Sequence, residues 1–239
     1  ELACIQPVYV DIDETSITTT GADISWQDIN NPNAAQYEVS VCTVPGLPGN
    51  IGFCTNTIVT GNNSISLTGL TDATNYYVYI RALCGGNNGD SGWSEVVEFQ
   101  TIAIGSSCND PLVINADQNN PVPGDLPYTQ SGQTMVYGDF ESGTPGANCG
   151  VATAILNGYE VVYEYTSSQD DILEVNVTNL PTNANVGLFV YESCADIGNF
   201  CVAGGFSDDG TPINVNSIFI NQGETYYFVL ASTDNTFEP

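Results

Sequence analysis

Apolar and polar residues alternate in short runs along this chain, separated by Gly, Asn, Asp and Pro. Val8, Val10 and Ile12 alternate in an opening strand, and Ala22, Ile24 and Trp26 in the next. Tyr37, Val39 and Val41 follow, then Phe53 to Thr60 and a short run from Ser64 to Leu67. Between Tyr76 and Ala82 the period is strictly two. Tyr76, Val78, Ile80 and Ala82 share one face, and Tyr77, Tyr79 and Arg81 share the other. Val96 to Thr101 closes the set. Helical periodicity is nearly absent, so the pattern predicts an all-β chain built from sandwiches.

The second half repeats the pattern with different spacing. Leu126 to Thr134 is expected to open a β unit. Strands are expected over Tyr159–Thr166, Ile172–Val177, Val186–Tyr191, Ile213–Ile220 and Tyr226–Ala231, with Gln222-Gly223-Glu224 as the turn before the last. Composition breaks near Ile104-Gly105-Ser106-Ser107. The expected organisation is two β-sandwich domains in tandem, 1–102 and 108–239, joined by a linker at 103–107. A further strand is expected after Thr236-Phe237, supplied by following chain or by another molecule; without it a sheet edge stays open.

Charge narrows the chemistry. The 239 residues hold 28 acidic side chains, one basic side chain and no His, for a net charge of −27. The halves carry −10 and −17. Without His there is no Ser-His-Asp triad and no His-ligated metal. Without Lys there is no P-loop and no Schiff base. A basic nucleic-acid footprint and electrostatic docking to anionic lipid are both excluded, and no apolar run reaches membrane-spanning length. The chain begins at Glu1 without Met, which reads as a processed product or a piece of something longer. A chain with Arg81 as its one basic residue offers trypsin-like proteases almost no site.

Eight cysteines occur, at 4, 42, 54, 84, 108, 149, 194 and 201. The number is even, no CxxC is present, and disulfides in an oxidising compartment are expected. Sequence alone leaves three connectivities for each set of four. Strand geometry favours Cys42–Cys54 across a Gly/Pro-rich hairpin loop, which leaves Cys4–Cys84. Cys194 and Cys201 flank the short loop Ala195–Phe200, which suggests Cys194–Cys201 and leaves Cys108–Cys149.

Two resemblances sharpen the reading. Trp26, the run Leu67-Thr68-Gly69-Leu70-Thr71-Asp72-Ala73-Thr74-Asn75-Tyr76, and the later pieces Ala82-Leu83-Cys84-Gly85-Gly86, Gly92-Trp93-Ser94 and Phe99-Gln100-Thr101 resemble a fibronectin type III module over residues 1–102. Cys108-Asn109-Asp110-Pro111, Gly158–Tyr163, Gly187-Leu188-Phe189-Val190 and Gly223–Val229 resemble the bacterial pre-peptidase C-terminal domain, a jelly-roll-like sandwich, over roughly 106–239. Together they imply a secreted or cell-surface protein of the Bacteroidota type, exported by the type IX route.

Carboxylates supply the ionic chemistry. Asp139 and Glu141 follow a turn, and Glu160 could approach them, which makes these three the candidate Ca²⁺ ligands. Asp11, Asp13 and Glu14, and Asp208-Asp209, are weaker groups. The competing reading is solvated turn carboxylates. A glycosidase pair would need a cleft, which the pattern does not provide, so no catalytic residue is assigned and the chain is expected not to be an enzyme. Trp93, Tyr77 and Tyr79 are the candidate ligand-binding aromatics, able to stack on sugar rings; packing against a neighbouring strand is their alternative. Arg81 is expected to pair with an acidic neighbour or stack on Tyr79. Two acceptor sequons, at Asn62 and Asn176, read as coincidental. The expected function is adhesion or spacing in a large surface protein, with neighbouring modules, other surface proteins or polysaccharide as partners. The alternatives are a targeting region of a secreted hydrolase or peptidase, and a filament subunit assembled by strand exchange.

Overall fold

The computed structural model describes residues 4–29, 36–85, 89–114, 116–117, 120–121, 126, 128–151, 155–183, 185–233. The expected strand beyond Thr236 lies outside them, as does Pro127 within the expected unit at 126–134. The chain divides into two compact units, Glu1–Ile102 and Ala103–Pro239.

Among the described residues the first unit is a sandwich of seven strands. They are β1 (Val8–Ile12), β2 (Ala22–Gln27), β3 (Gln36–Cys42), β4 (Cys54–Thr60), β5 (Ser64–Leu67), β6 (Asn75–Leu83) and β7 (Val97–Gln100). One sheet runs β1-β2-β5 and the other β4-β3-β6-β7. The period-two residues meet between them: Ile24, Trp26, Val39, Tyr76, Val78, Ile80 and Phe99 form the core. Trp26 packs edge-on against Tyr37 with ring centroids 5.2 Å apart. The Tyr37 hydroxyl donates to Asp28 at 3.1 Å; burial, with the Asp28 bond and charge beside it, pushes the phenol up to about 12. β1 shifts register between Val8 and Asp11, and Tyr9 sits there with φ 51°.

The second unit contains β8 (Leu112–Val113), β9 (Ala116–Asp117), β10 (Asn120–Pro121), β11 (Glu160–Thr166), β12 (Asp171–Val177), β13 (Val186–Tyr191), β14 (Ala203–Ser207), β15 (Ile213–Ile220) and β16 (Thr225–Ser232). A five-stranded sheet runs β14-β13-β16-β11-β8, a two-stranded sheet pairs β12 with β15, and β9 pairs with β10. Both faces of the larger sheet are covered. On one side Leu188, Val190, Tyr165 and Phe228 pack against Leu173, Val215, Ile218 and Ile220 of β12 and β15. On the other, Val162, Phe189, Tyr191 and Val229 lie under Cys149, Ile155 and Leu156. Every residue of β13 is therefore buried, and its sequence is apolar throughout without alternation.

Three expectations change here. Among the described residues of 126–133 there is no strand, and Thr134–Val136 forms a 3-10 turn. This stretch makes no ladder; Tyr128 instead packs edge-on against Tyr163 of β11, with ring centroids 6.3 Å apart. Residues 103–107 are built into the second unit: the Gly105 N–H bonds Asp110 at 2.6 Å, the Gly105 carbonyl accepts from Val162 at 2.7 Å, and Ser106 is fully buried.

The third concerns disulfides. Cys4–Cys84 and Cys42–Cys54 form as the strand geometry suggests. In the second unit the bridges are Cys108–Cys194 and Cys149–Cys201, in place of Cys108–Cys149 and Cys194–Cys201. The loop between Cys194 and Cys201 is wound by bonds from Asn199 and Phe200 N–H to Asp196, and Ala147 bridges Phe200 in parallel. That bridge holds Cys201 against the segment carrying Cys149. Gly146 makes it possible: at φ 108°, a Cβ there would meet the Asn199 backbone at 2.3 Å.

Candidate functional site

The outer face of the β4-β3-β6-β7 sheet gathers the aromatic candidates. Tyr77, Tyr79 and Arg81 leave β6 on this face, beside Glu38, Ser40 and Cys42 of β3. The loop 43–53, closed by Cys42–Cys54, folds back over it. The Gly46 N–H donates to the Tyr79 hydroxyl at 2.6 Å, and the Gly49 N–H donates to Ser40 Oγ at 2.9 Å. Gly49 itself must be glycine: its φ is 80°, and a Cβ would press on the Trp93 ring at 3.2 Å.

Tyr79 is consequently buried and cannot stack on a ligand. The period-two pattern placed it correctly on the outer face; the covering loop is what removes it from solvent. Trp93 and Tyr77 are half-buried. The Trp93 ring is occupied by Arg81, whose guanidinium carbon lies 4.8 Å from the ring centre. Arg81 also grips Glu38 through Nε at 2.7 Å and Nη2 at 2.5 Å, with Asp90 at 3.8 Å. Arg81 thus stacks on Trp93 rather than on Tyr79. The cluster Glu38–Arg81–Trp93–Gly49 is a packed bracket that fixes the loop.

Sequence reasoning missed what the loop exposes. Its tip carries Val44, Leu47, Ile51 and Phe53, all exposed, with Ile51 at 91%. The signal was present as apolar residues scattered through a Gly/Pro-rich turn.

The second candidate is Glu160. It opens β11 facing the segment 138–141, and its own N–H bonds Gly138 at 3.1 Å. Its Oε1 accepts the N–H groups of Phe140 and Glu141 at 3.2 and 2.5 Å. Its Oε2 is buried without a partner. Desolvation, aided by the nearby Asp139 and Glu141 charges, pushes this carboxyl up to about 8 against the pull of the two amides. Glu141 is raised by burial. The three expected calcium ligands therefore come near one another but do not form an oxygen cage. Glu160 is turned into the protein, and among the described residues no group of three His, Cys, Asp or Glu side chains is arranged to hold a metal ion.

The remaining acidic groups cap turns. Asp13 accepts from the Thr15 N–H and hydroxyl, and Asp209 accepts from the Thr211 N–H at 2.9 Å. Hydrogen bonds hold both carboxyls below the usual range. Asp11 bonds the Ile12 N–H.

Comparison with known proteins agrees with the first unit. Residues 6–100 match the fibronectin type III domain. A fibronectin type III domain of Drosophila Lar is 20% identical, with 41% of this chain and 97% of that one covered and a TM-score of 0.33. The fibronectin type III domain of human collagen alpha-1(XX) chain is 21% identical, with 43% and 90% covered and a TM-score of 0.35. No curated protein matches the chain.

Proposed function

We propose that this chain is a non-catalytic extracellular module pair whose role is adhesion or spacing in a larger surface protein. The observation that carries the reading is covalent. All eight cysteines are paired, two bridges in each unit, and one unit is a fibronectin type III domain, a common extracellular module of adhesion and scaffolding proteins. Four disulfides need an oxidising compartment to form and persist. Among the described residues, no helix is long and apolar enough to cross a membrane. The resemblance of the second unit to the pre-peptidase C-terminal domain, and with it the bacterial outer-membrane surface and the type IX route, belongs to this same proposal. Calcium is left out of it, because among the described residues no three His, Cys, Asp or Glu side chains are arranged to hold a metal ion.

The test uses the oxidised chain coupled to beads and passed over films of protein, polysaccharide and whole cells under flow. Retention on protein or cell surfaces without turnover of any film is the expected result. Turnover of a polymer overturns the reading. Capture confined to a single polysaccharide replaces it with the alternative, a targeting region for a secreted hydrolase.

A further inference from the structure

Among the described residues the first unit has four sheet edges, and three are blunted in recognised ways. β1 is interrupted by its register shift and carries Asp11. β5 is four residues long. β7 is also four residues long and carries Glu98. β4 has none of these devices. It runs seven residues, Cys54–Thr60, in unbroken register with β3, and its sequence CTNTIVT holds no charge and no proline.

The ladder tells which groups are free. Thr43 N–H bonds the Phe53 carbonyl at 3.0 Å, so Phe53 is a hydrogen-bonded partner of Thr43. By alternation Thr55, Thr57 and Val59 bond to β3, while Asn56, Ile58 and Thr60 turn their N–H and C=O groups outward. Among the described residues, no backbone bond outside the ladder is made by 55–60. Ile58 is half-exposed at 52%, and loop 43–53 touches β4 two residues before it, where Asn56 Nδ2 donates to the Gly49 carbonyl at 3.4 Å.

Charge decides what can dock here. In a chain of net charge −27, residues 39–71 contain no charged side chain at all. This stretch spans the apolar loop and the whole of β4. Two copies approaching by any other edge of this unit bring carboxylates together or meet a strand too short to pair. Approaching by β4, they bring together two uncharged, partly apolar strands.

We propose that β4 is a self-association edge, at which a second copy of this chain pairs its own β4 antiparallel across a two-fold axis. The same outward amides then meet their equivalents, and one closed dimer results, because a two-fold contact uses up both edges. Ile58 and the 43–53 tips of both copies flank the joint. The proposal stands apart from the adhesion reading and does not depend on it.

The physics gives this dimer an unusual salt response. The contact is uncharged, while the bodies repel. Screening shortens the Debye length from about 30 Å at 0.01 M salt to about 3 Å at 1 M. Association must therefore strengthen as salt rises, the reverse of a contact held by ion pairs.

The experiment is sedimentation velocity on the full oxidised chain, from micromolar to millimolar concentration, in dilute and in half-molar NaCl. The expected result is a monomer–dimer equilibrium that shifts toward dimer with salt. Ile58→Asp, which adds a carboxylate to the edge of each copy, weakens it roughly tenfold or more. Ile58→Pro, which removes one outward N–H and adds no charge, weakens it as well. Ser64→Asp, the same added charge on the exposed β5 edge, leaves the dimer intact. A chain that stays monomeric at millimolar concentration in half-molar salt overturns the proposal, and an extended segment of a different protein then becomes the occupant to seek. A dimer unaffected by both Ile58 variants overturns it too, by placing the contact elsewhere.

Discussion

The hydroxyl of Tyr226 accepts the backbone N–H of Asn221 at 3.0 Å. Five residues separate donor and acceptor, and the first unit holds the same relationship: Tyr76 accepts from Thr71 at 2.8 Å. Each tyrosine enters a central strand with its ring in the core and pins the turn before it, the arrangement called a tyrosine corner in other sandwiches. Two units with different strand orders use one device to fix the entry of a buried strand.

Tyr76→Phe and Tyr226→Phe keep the rings and remove the hydroxyls. Each leaves one turn N–H without its acceptor, at a cost of about 1 kcal/mol. Hydrogen exchange followed by mass spectrometry checks this locally. Tyr76→Phe should loosen residues of the first unit, around 71–76, and Tyr226→Phe those of the second, around 221–226.

Glu160 makes the second unit sensitive to pH. Its ordinary value is 4.5 and its folded value about 8, so folding binds a proton between those limits. The stability it contributes is complete below about pH 4.5 and is lost as pH rises through 8. The loss amounts to several kcal/mol at most. Glu160→Gln keeps the acceptor for Phe140 and Glu141 and never ionises. Denaturant titrations of parent and variant should agree near pH 4 and diverge as pH rises, with the variant the more stable by pH 8.5. Millimolar Ca²⁺ and chelator should give coincident melts for both.

The disulfide pattern is open to direct mapping. Digestion of the unreduced chain at acidic residues should release fragments joining Cys108 to Cys194 and Cys149 to Cys201. Replacing the Cys149–Cys201 pair by serines should cost about 2–4 kcal/mol and expose the 145–150 segment to exchange, since the Ala147–Phe200 bridge lies directly beside it.

Arg81 is the cation of the loop bracket. Arg81→Lys retains a charge but loses the planar stack on Trp93 and the two-nitrogen grip on Glu38. It should destabilise the first unit by about 1 kcal/mol and shift Trp93 emission to the red. Trp26, the other tryptophan, is buried and provides the unshifted reference.

Much of this was legible in the sequence because period two is a local property. The run from Tyr76 to Ala82 announces both of its faces, and Val186–Tyr191 announces a strand. What escaped was non-local. β14, which is not among the expected strands, carries Gly204 and Gly205. They are places of close approach, where a Cβ would meet the Cys149 carbonyl at 2.7 Å and Ile213 at 2.6 Å. Cys194 and Cys201 look like partners by spacing, yet each is committed to a segment far away in the chain. Tyr79 faces outward as its position in the strand dictates. Its burial comes from a loop whose path no alternation encodes. Glu160 reads as a candidate calcium ligand, and its raised proton affinity comes from burial, with the charges of Asp139 and Glu141 some twenty residues earlier adding to it.

The bridges also set how this molecule lengthens. Cys4 and Cys84 stand 80 positions apart in sequence and 6.0 Å apart in space; Cys108 and Cys194 stand 86 positions and 5.6 Å apart. Free peptide of that length could stretch to well over 200 Å. Tension entering at Cys4 crosses to Cys84 through sulfur, and later from Cys108 to Cys194, so most of each sandwich lies off the line of force. Pulled while oxidised, the protein behaves as a tether shorted across both bridges, and what can still yield is the chain outside them, which carries β7 and β14–β16. Reduction would insert both loops into the line and turn the tether into an extensible spring.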